Sequence, residues 1–411
     1  MRRLRFSLLA RLRALLGSDA SGVRQTLVAQ SFNSSTSFVA GAFLGAITET
    51  LAKYPGLLVL VPAAIGLRGN IFGTFGNRIS TSIHAGTFRL SARRDTVLGQ
   101  NILASMVLTV GASLLLALAA KGAAVALGIQ HSIPTFDLTT ISIVGGVLGS
   151  IVVLGLTLGV TAGAVRYGWD LDNVSAPLVG VLGDVLTLPA LYLATFLIGI
   201  SVLTPTLNTV LVVIAVIVLI VGWRSQLAEL RRIVRESLPI LVVAGCVSAG
   251  AGLALEKSFA VFDKFPALLV LEPAHLSSGG ALGGVLAGRL ATKMFLGTST
   301  PSATPDREAR RDIALLFLLA VPIYLFNGVG AQLVALGLGY DTPGWGQMIG
   351  VSLVAGMGGL ILVAAVAYYT TVAAVRTGLD PDNYGIPVTS SFVDLVGAMT
   401  LIITISAFYI S

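Results

Sequence analysis

Residues 206 to 223 read TLNTVLVVIAVIVLIVGW, eighteen consecutive residues without a charge. A membrane helix needs about 20 predominantly apolar residues, whereas barrel strands hide their lipid face in alternating segments of about ten. This run does not alternate, so helices span the bilayer. Outward from it the whole chain has the same character: of 411 residues, 55% are apolar and 11% charged, against about 25% charged in a soluble domain. Cytosolic-enzyme and disordered classes are excluded on that balance. The fold class predicted is an all-α polytopic membrane protein, with spans near 27–52, 56–77, 97–127, 139–165, 177–201, 206–223, 237–256, 266–288, 312–339, 347–375 and 386–410.

The net charge of +7 raises nucleic acid as a partner, but in a membrane protein the placement of basic residues is what informs. The opening MRRLRFSLLARLRALL is basic and amphipathic, lacks a small-residue cleavage site, and reads as a cytoplasmic surface helix. With the N-terminus inside, every arginine is expected at the cytoplasmic side or cytoplasmic end of a span, Arg68, Arg78, Arg166, Arg289 and Arg376 included. Eleven crossings then place the C-terminus on the outer side of a cell membrane. No nucleic-acid partner is expected. The single cysteine, Cys246, rules out a disulfide framework and reads as a small buried hydrophobe.

Two pairs of segments repeat. PGLLVLVPAAIGLRGNIFGTFGNRISTSI at 55–83 aligns without a gap on PALLVLEPAHLSSGGALGGVLAGRLATKM at 266–294, matching Gly69 with Gly280, Gly73 with Gly284 and Arg78 with Arg289. AVRYGWDLDNVSAPLVGVLGD at 164–184 and AVRTGLDPDNYGIPVTSSFVD at 374–394 share A-V-R-x-G-x-D-x-D-N-x-x-x-P-x-x-x-x-x-x-D. The chain therefore reads as a tandem duplication: a basic N-terminal segment (1–24), a first five-helix repeat (25–204), a linking span with a basic loop (205–236) and a second repeat (237–411). Five is odd, so direct fusion would invert the second copy. The extra span at 206–223 restores parallel halves, the single-chain counterpart of a homodimer with a pathway at its interface. On that ground the chain is expected to act as a monomer.

Asp184 and Asp394 each follow a proline by seven residues, about 10 Å into a helix at 1.5 Å per residue. A carboxylate at that depth costs about 2.5–3.5 kcal/mol on insertion scales and is tolerated chiefly beside a cavity or partner. Two such groups facing one axis, with no arginine or lysine at comparable depth on their helices, suit a mobile cation. Oxygen ligands fit hard ions; magnesium, calcium, manganese, cobalt and sodium all remain open. His84, His131 and His275 occupy unrelated repeat positions and read as structural or surface groups.

The segments Pro62 to Asn70 and Pro273 to Ala281 are expected to interrupt the second helix of each repeat and line a water-filled cavity. Asn70, Ser277 and Ser278 are the polar groups there that could hydrogen-bond an ion's water shell. Glu272 occupies the position of Val61, either as a one-sided pathway carboxylate or as the partner of His275. Glu49 and Glu256 stand near the outer ends of the first helices, as attractors at the mouth or as interfacial pairs with Lys53 and Lys257. Asp170, Asp172, Asn173, Asp380, Asp382 and Asn383 lack the spacing and glycine turn of a calcium loop and read as helix caps.

The run P-x-L-x-x-L-x-P-A-x-x-G-x-x-G-N at 55–70, Glu49 before it, and D-x-D-N-x-x-x-P-x-x-x-x-x-x-D ending at Asp184 resemble the membrane domain of MgtE-type magnesium channels. The tandem arrangement resembles their solute carrier family 41 relatives, over about residues 25 to 411. The resemblance implies a pathway for Mg²⁺ or another divalent cation between the halves, formed by their second and fifth helices. It also implies that Asp184 and Asp394 hold hydrated ions. Magnesium is then cargo, and no cofactor is expected. Ala281 departs from the pattern where the first half has asparagine. Ion channel or transporter activity is the expected function, with sodium- or proton-coupled exchange as the alternative. An intramembrane enzyme acting on lipid phosphate is disfavoured, because no nucleophile and base pair stands out.

Overall fold

The computed structural model describes residues 20–129, 132–167, 171–200, 203–377 and 381–408. The proposed surface helix at 1–16, His131, Asp170, Asp380 and the C-terminal residues 409–411 lie outside the described residues. Among the described residues the chain is helical and has no strand. The first half comprises α1 (Ala20–Ala46), the short α2 (Thr48–Lys53), α3 (Leu57–His84), α4 (Val97–Ala126), α5 (Thr135–Tyr167) and α6 (Leu171–Thr195). After α7 (Leu203–Trp223) come α8 (Ala228–Lys257), the short α9 (Phe259–Lys264), α10 (Ala267–Phe295), α11 (Arg307–Leu338), α12 (Trp345–Thr377) and α13 (Pro381–Ala407). Among the described residues, eight helices are long and apolar enough to cross a membrane: α3, α4, α5, α7, α8, α11, α12 and α13. In α10 the apolar run is diluted by Glu272, His275, Ser277 and Ser278.

The helices interlock across the two halves. α1 lies along α10, and α8 lies along α3. α1 and α10 run antiparallel, since Asn33 meets Ser277 at 2.8 Å while Gly41 meets Val270. α6 packs on α1 and α3; α13 packs on α8 and α10. α7 stands outside this core, tied at one end by the Asn208 carboxamide, which donates to Phe136 O (2.7 Å) and Thr140 Oγ1 (3.0 Å) at the start of α5. Its other end meets α8, where Arg235 Nε donates to Trp223 O at 3.2 Å.

The second helix of each half is not interrupted, contrary to expectation. Pro62 and Pro273 sit inside continuous α3 and α10, each close to the N-terminal end, where the missing N–H frees one carbonyl without breaking the helix. The freed carbonyls are Leu58 O and Leu269 O, and each faces a glycine of the other half. A Cβ added to Gly252 would stand 2.7 Å from Leu58 O and 2.5 Å from Val59 O; one added to Gly41 would stand 2.7 Å from Leu269 O and 2.5 Å from Val270 O. The two contacts are repeat images of each other: Gly41 and Gly252 lie 211 positions apart, as do Val59 and Val270. Proline on one helix and glycine on its neighbour thus permit close backbone approach, in a geometry where weak Cα–H···O contacts recur.

Arg68 also departs from expectation. It sits midway along α3, 3% exposed, with Nη2 donating to Gly145 O at 2.8 Å and both Nε and Nη1 without a partner. Gly149 on α5 makes room for it: a Cβ there would lie 2.9 Å from Arg68 Nε. Position along the sequence says how deep a residue lies, and an asymmetry rule for loops cannot foresee that a glycine on a neighbouring helix admits a buried guanidinium. Cys246 is exposed, not buried, because the outer face of a membrane bundle accepts apolar side chains.

Helix ends follow ordinary rules. Asp306 caps α11, its carboxylate accepting from Ala309 N at 2.8 Å and Thr300 N at 2.9 Å. Those N–H donors, Ala309 first, hold its pKa below the usual carboxylate value. A depressed value means that the cap stabilises above the ordinary aspartate pKa and is lost as pH falls through the folded value. Asp306→Ala is expected to cost about 1 kcal/mol, read as a lowered thermal midpoint at pH 7 whose difference from the parent shrinks in acid.

Candidate functional site

A cavity of about 610 Å³ lies among α1, α3, α6, α10 and α13. Its walls include Asp184 of α6, Asp394 of α13, Asn70 of α3, and Glu272 and Ser277 of α10. Five groups singled out in the sequence therefore converge from four helices. Glu272 is 3% exposed, and the aspartates are half-buried, open toward the cavity. Asp394 Oδ2 accepts from Ser248 Oγ of α8 at 3.2 Å. Among the described residues, three carboxylates and no lysine, arginine or histidine line this space.

Local sequence explains why the space exists. Gly69 and Gly280, the repeat-matched glycines, line the cavity, and a Cβ at either would meet nothing within 4 Å. Gly66 also faces in, with Asp394 Oδ2 at 3.7 Å from its Cβ position. These small residues hold α3 and α10 open toward each other; they are not close-packing contacts.

The other expected residues are placed elsewhere. Ser278 is fully buried beside Ser34 Oγ (3.3 Å) and Asn327 Nδ2 (2.9 Å), on a face of α10 away from the cavity. Glu256 accepts from Gly56 N at 2.7 Å, so it caps the start of α3 from the other half. Glu49 is exposed on α2, while Lys53 lies over the Tyr54 ring at 5.2 Å. His275 is buried with Nδ1 unpartnered, its ring 5.2 Å from that of Tyr324. Asp172, Asn173, Asp382 and Asn383 have no described side chain.

Four polar residues at or beside the site had not been singled out: Gln30, Asn33, Ser248 and Ser390. The first two lie on α1, in the stretch QSFNSSTSF at 30–38. That polar run inside an otherwise apolar helix was the available signal. Its hydroxyls at Ser35 and Thr36 bond back to Ser31 O and Phe32 O, which leaves the carboxamides to face inward.

Three carboxylates around a cavity of this size, with no basic side chain among its described lining residues, make a negative potential that concentrates cations. The donors are oxygens, the ligand class of hard metal ions. Among the described residues no three His, Cys, Asp or Glu converge closely enough to cage a metal.

Comparison with known proteins agrees with this chemistry. The family model MgtE, described as divalent cation transporter, matches twice, over residues 61–195 and 272–404. Solute carrier family 41 member 3 of Mus musculus is 26% identical over 370 residues, covering 84% of this chain and 74% of that protein. The Rattus norvegicus protein of the same name is 26% identical, covering 87% and 82%. Solute carrier family 41 member 2 of Homo sapiens is 24% identical, covering 86% of this chain and 64% of its own length. No solved structure matches the chain. With two tandem matches that together span more than half of its length, the chain belongs to the MgtE family of divalent cation transporters.

Proposed function

We propose that the chain carries Mg²⁺ across the cell membrane through the cavity between two parallel five-helix repeats, with Asp184 and Asp394 holding the partly hydrated ion. The observation that carries this is the convergence of two repeat-related aspartates on one acidic cavity, with no basic side chain among its described lining residues. Two carboxylates match the charge of one divalent ion. Magnesium keeps most of its water and takes one or two carboxylates; six waters at about 30 Å³ each occupy about 180 Å³, well within the space. The paired approaches of Gly41 to Val270 and Gly252 to Val59 support the repeat. The placement of α7, whose two ends meet the starts of α5 and α8, supports its crossing to keep the halves parallel. With the basic N-terminus in the cytoplasm, eleven spans put the C-terminus on the outer side, and the duplication leaves the chain a pathway as a monomer.

Uptake of Mg²⁺ into proteoliposomes, followed with an internal indicator, tests this. Influx well above protein-free vesicles is expected, and none would contradict it. Dependence of that influx on an opposing sodium or proton gradient would identify an exchanger, and independence a channel.

A further inference from the structure

The α1 wall of the cavity holds a group that the paired aspartates do not explain. Gln30 lines the cavity and is 5% exposed, yet its Oε1 is buried with no hydrogen-bond partner. Buried amide oxygens are almost always met by a donor, a water or an ion. Three residues on, Asn33 lines the same space and is fixed by Ser277, to which its Nδ2 donates at 2.8 Å and from which its Oδ1 accepts at 3.1 Å. Because α1 runs antiparallel to α10, Gln30 lies past Ser277 toward Ala281, about 4.5 Å along the axis from Asn33. That is the end of the cavity away from Glu272.

The feature is one-sided. At the matching positions of the second half α8 carries Leu241 and Ala244, both buried and neither lining the cavity. On the neighbouring second helices, Asn70 lines the cavity where its repeat counterpart is Ala281. Neutral amide oxygens are thus gathered on the first half, while the aspartates are shared.

We propose that Gln30, set in depth by the Asn33–Ser277 pair and joined by Asn70, forms a second, charge-neutral cation station beside the aspartates. There the Gln30 Oε1 and the ion's own water take a hydrated divalent cation. This rests on the aspartate pathway proposed above. A permeating ion must bind well enough to enter and weakly enough to leave. Carboxylates alone hold a divalent ion tightly; an adjoining site of amide oxygens gives it somewhere weaker to go.

The test is the initial rate of Mg²⁺ uptake into proteoliposomes against Mg²⁺ concentration, for Gln30→Leu, Gln30→Glu and Asp394→Asn, with thermal midpoints measured in parallel. Gln30→Leu, which copies Leu241, is expected to lower the maximal rate about tenfold, the effect of losing one strong polar contact. Gln30→Glu is expected to lower the half-saturating Mg²⁺ concentration about tenfold and to slow the maximal rate, because the station then holds the ion too well. If Gln30→Leu does not fold, the shift in Gln30→Glu decides. Wild-type half-saturation and rate in Gln30→Glu, with uptake lost in Asp394→Asn, would overturn the station and leave the aspartate pathway standing. Wild-type uptake in Asp394→Asn would overturn both. Lowered thermal midpoints with unchanged half-saturation would assign Gln30 a packing role only, and overturn the station too.

Discussion

Replacing Asp184 or Asp394 with asparagine is expected to abolish divalent-cation flux while leaving the helix bundle folded. The substitution keeps the shape of the side chain and removes its charge. Both aspartates open onto the cavity, so neither asparagine has to be packed against apolar neighbours. At position 394 the Ser248 hydroxyl still has an acceptor in the asparagine carbonyl. What is lost is one of two charges facing an ion in a space of low dielectric. Removing one partner from a buried charge pair costs on the order of 3 kcal/mol, more than a hundredfold in occupancy. Each single variant should therefore fall to the background of protein-free vesicles at millimolar Mg²⁺. Normal elution and an unshifted thermal midpoint would place the loss in the site and not in the fold.

The second large effect concerns the backbone contacts between halves. Gly41→Val and Gly252→Val are each expected to prevent α1 from seating on α10, or α8 on α3. The obstacle in both cases is carbonyl oxygen and main chain, at 2.5 to 2.8 Å from the added Cβ. A flexible side chain could move aside; a helix backbone moves only as a whole. Overpacking of this kind costs about 3 kcal/mol or more, enough to lower the thermal midpoint steeply and to yield aggregated protein in detergent. Gly73→Ala and Gly284→Ala are the matched controls. Nothing lies within 4 Å of a Cβ at either position, and alanine favours the helix by about 1 kcal/mol over glycine. Those two variants should purify at least as well as the parent. Equal behaviour of all four would mean that the cross-half packing is not as described.

These contacts also show which features were legible in the sequence. The unbroken apolar run at 206–223 was enough for the helical class, because length and period separate a membrane helix from a barrel strand. Asp184 and Asp394 were legible because repetition placed the same costly charge at the same depth twice. Asn70, Glu272 and Ser277 followed from belonging to the other repeated segment. Ser278 did not, since adjacent residues on a helix point about 100° apart and only the packing of α1 decides which of the two serines faces in. Gln30 and Asn33 were missed because α1 has no recognisable counterpart pattern: its partners in the repeat are Leu241 and Ala244. Glu256 stood near a helix end, as expected, but the end it caps belongs to the other half. That contact joins residues 200 positions apart, and no local pattern contains it.

Arg68 and Tyr324 give the same lesson from the core. In the second half the Tyr324 ring packs on Gly356, with its Oη 3.5 Å from the Cβ position of Gly279. In the first half the matching positions hold Ser113, Gly146 and Arg68, which together line a small pocket. The same three repeat positions thus carry different chemistry in the two halves. Sequence alignment alone sees two unrelated substitutions.

The most direct test of the central claim is anomalous diffraction from crystals of the protein soaked in Mn²⁺, an oxygen-seeking divalent ion that scatters where magnesium does not. A peak inside the cavity is predicted, touching the Asp184 and Asp394 carboxylates directly at about 2.1 Å or through one layer of water, and absent from the Asp184→Asn, Asp394→Asn double variant. Manganese found only outside the cavity, or a peak that persists in the double variant, would contradict the account.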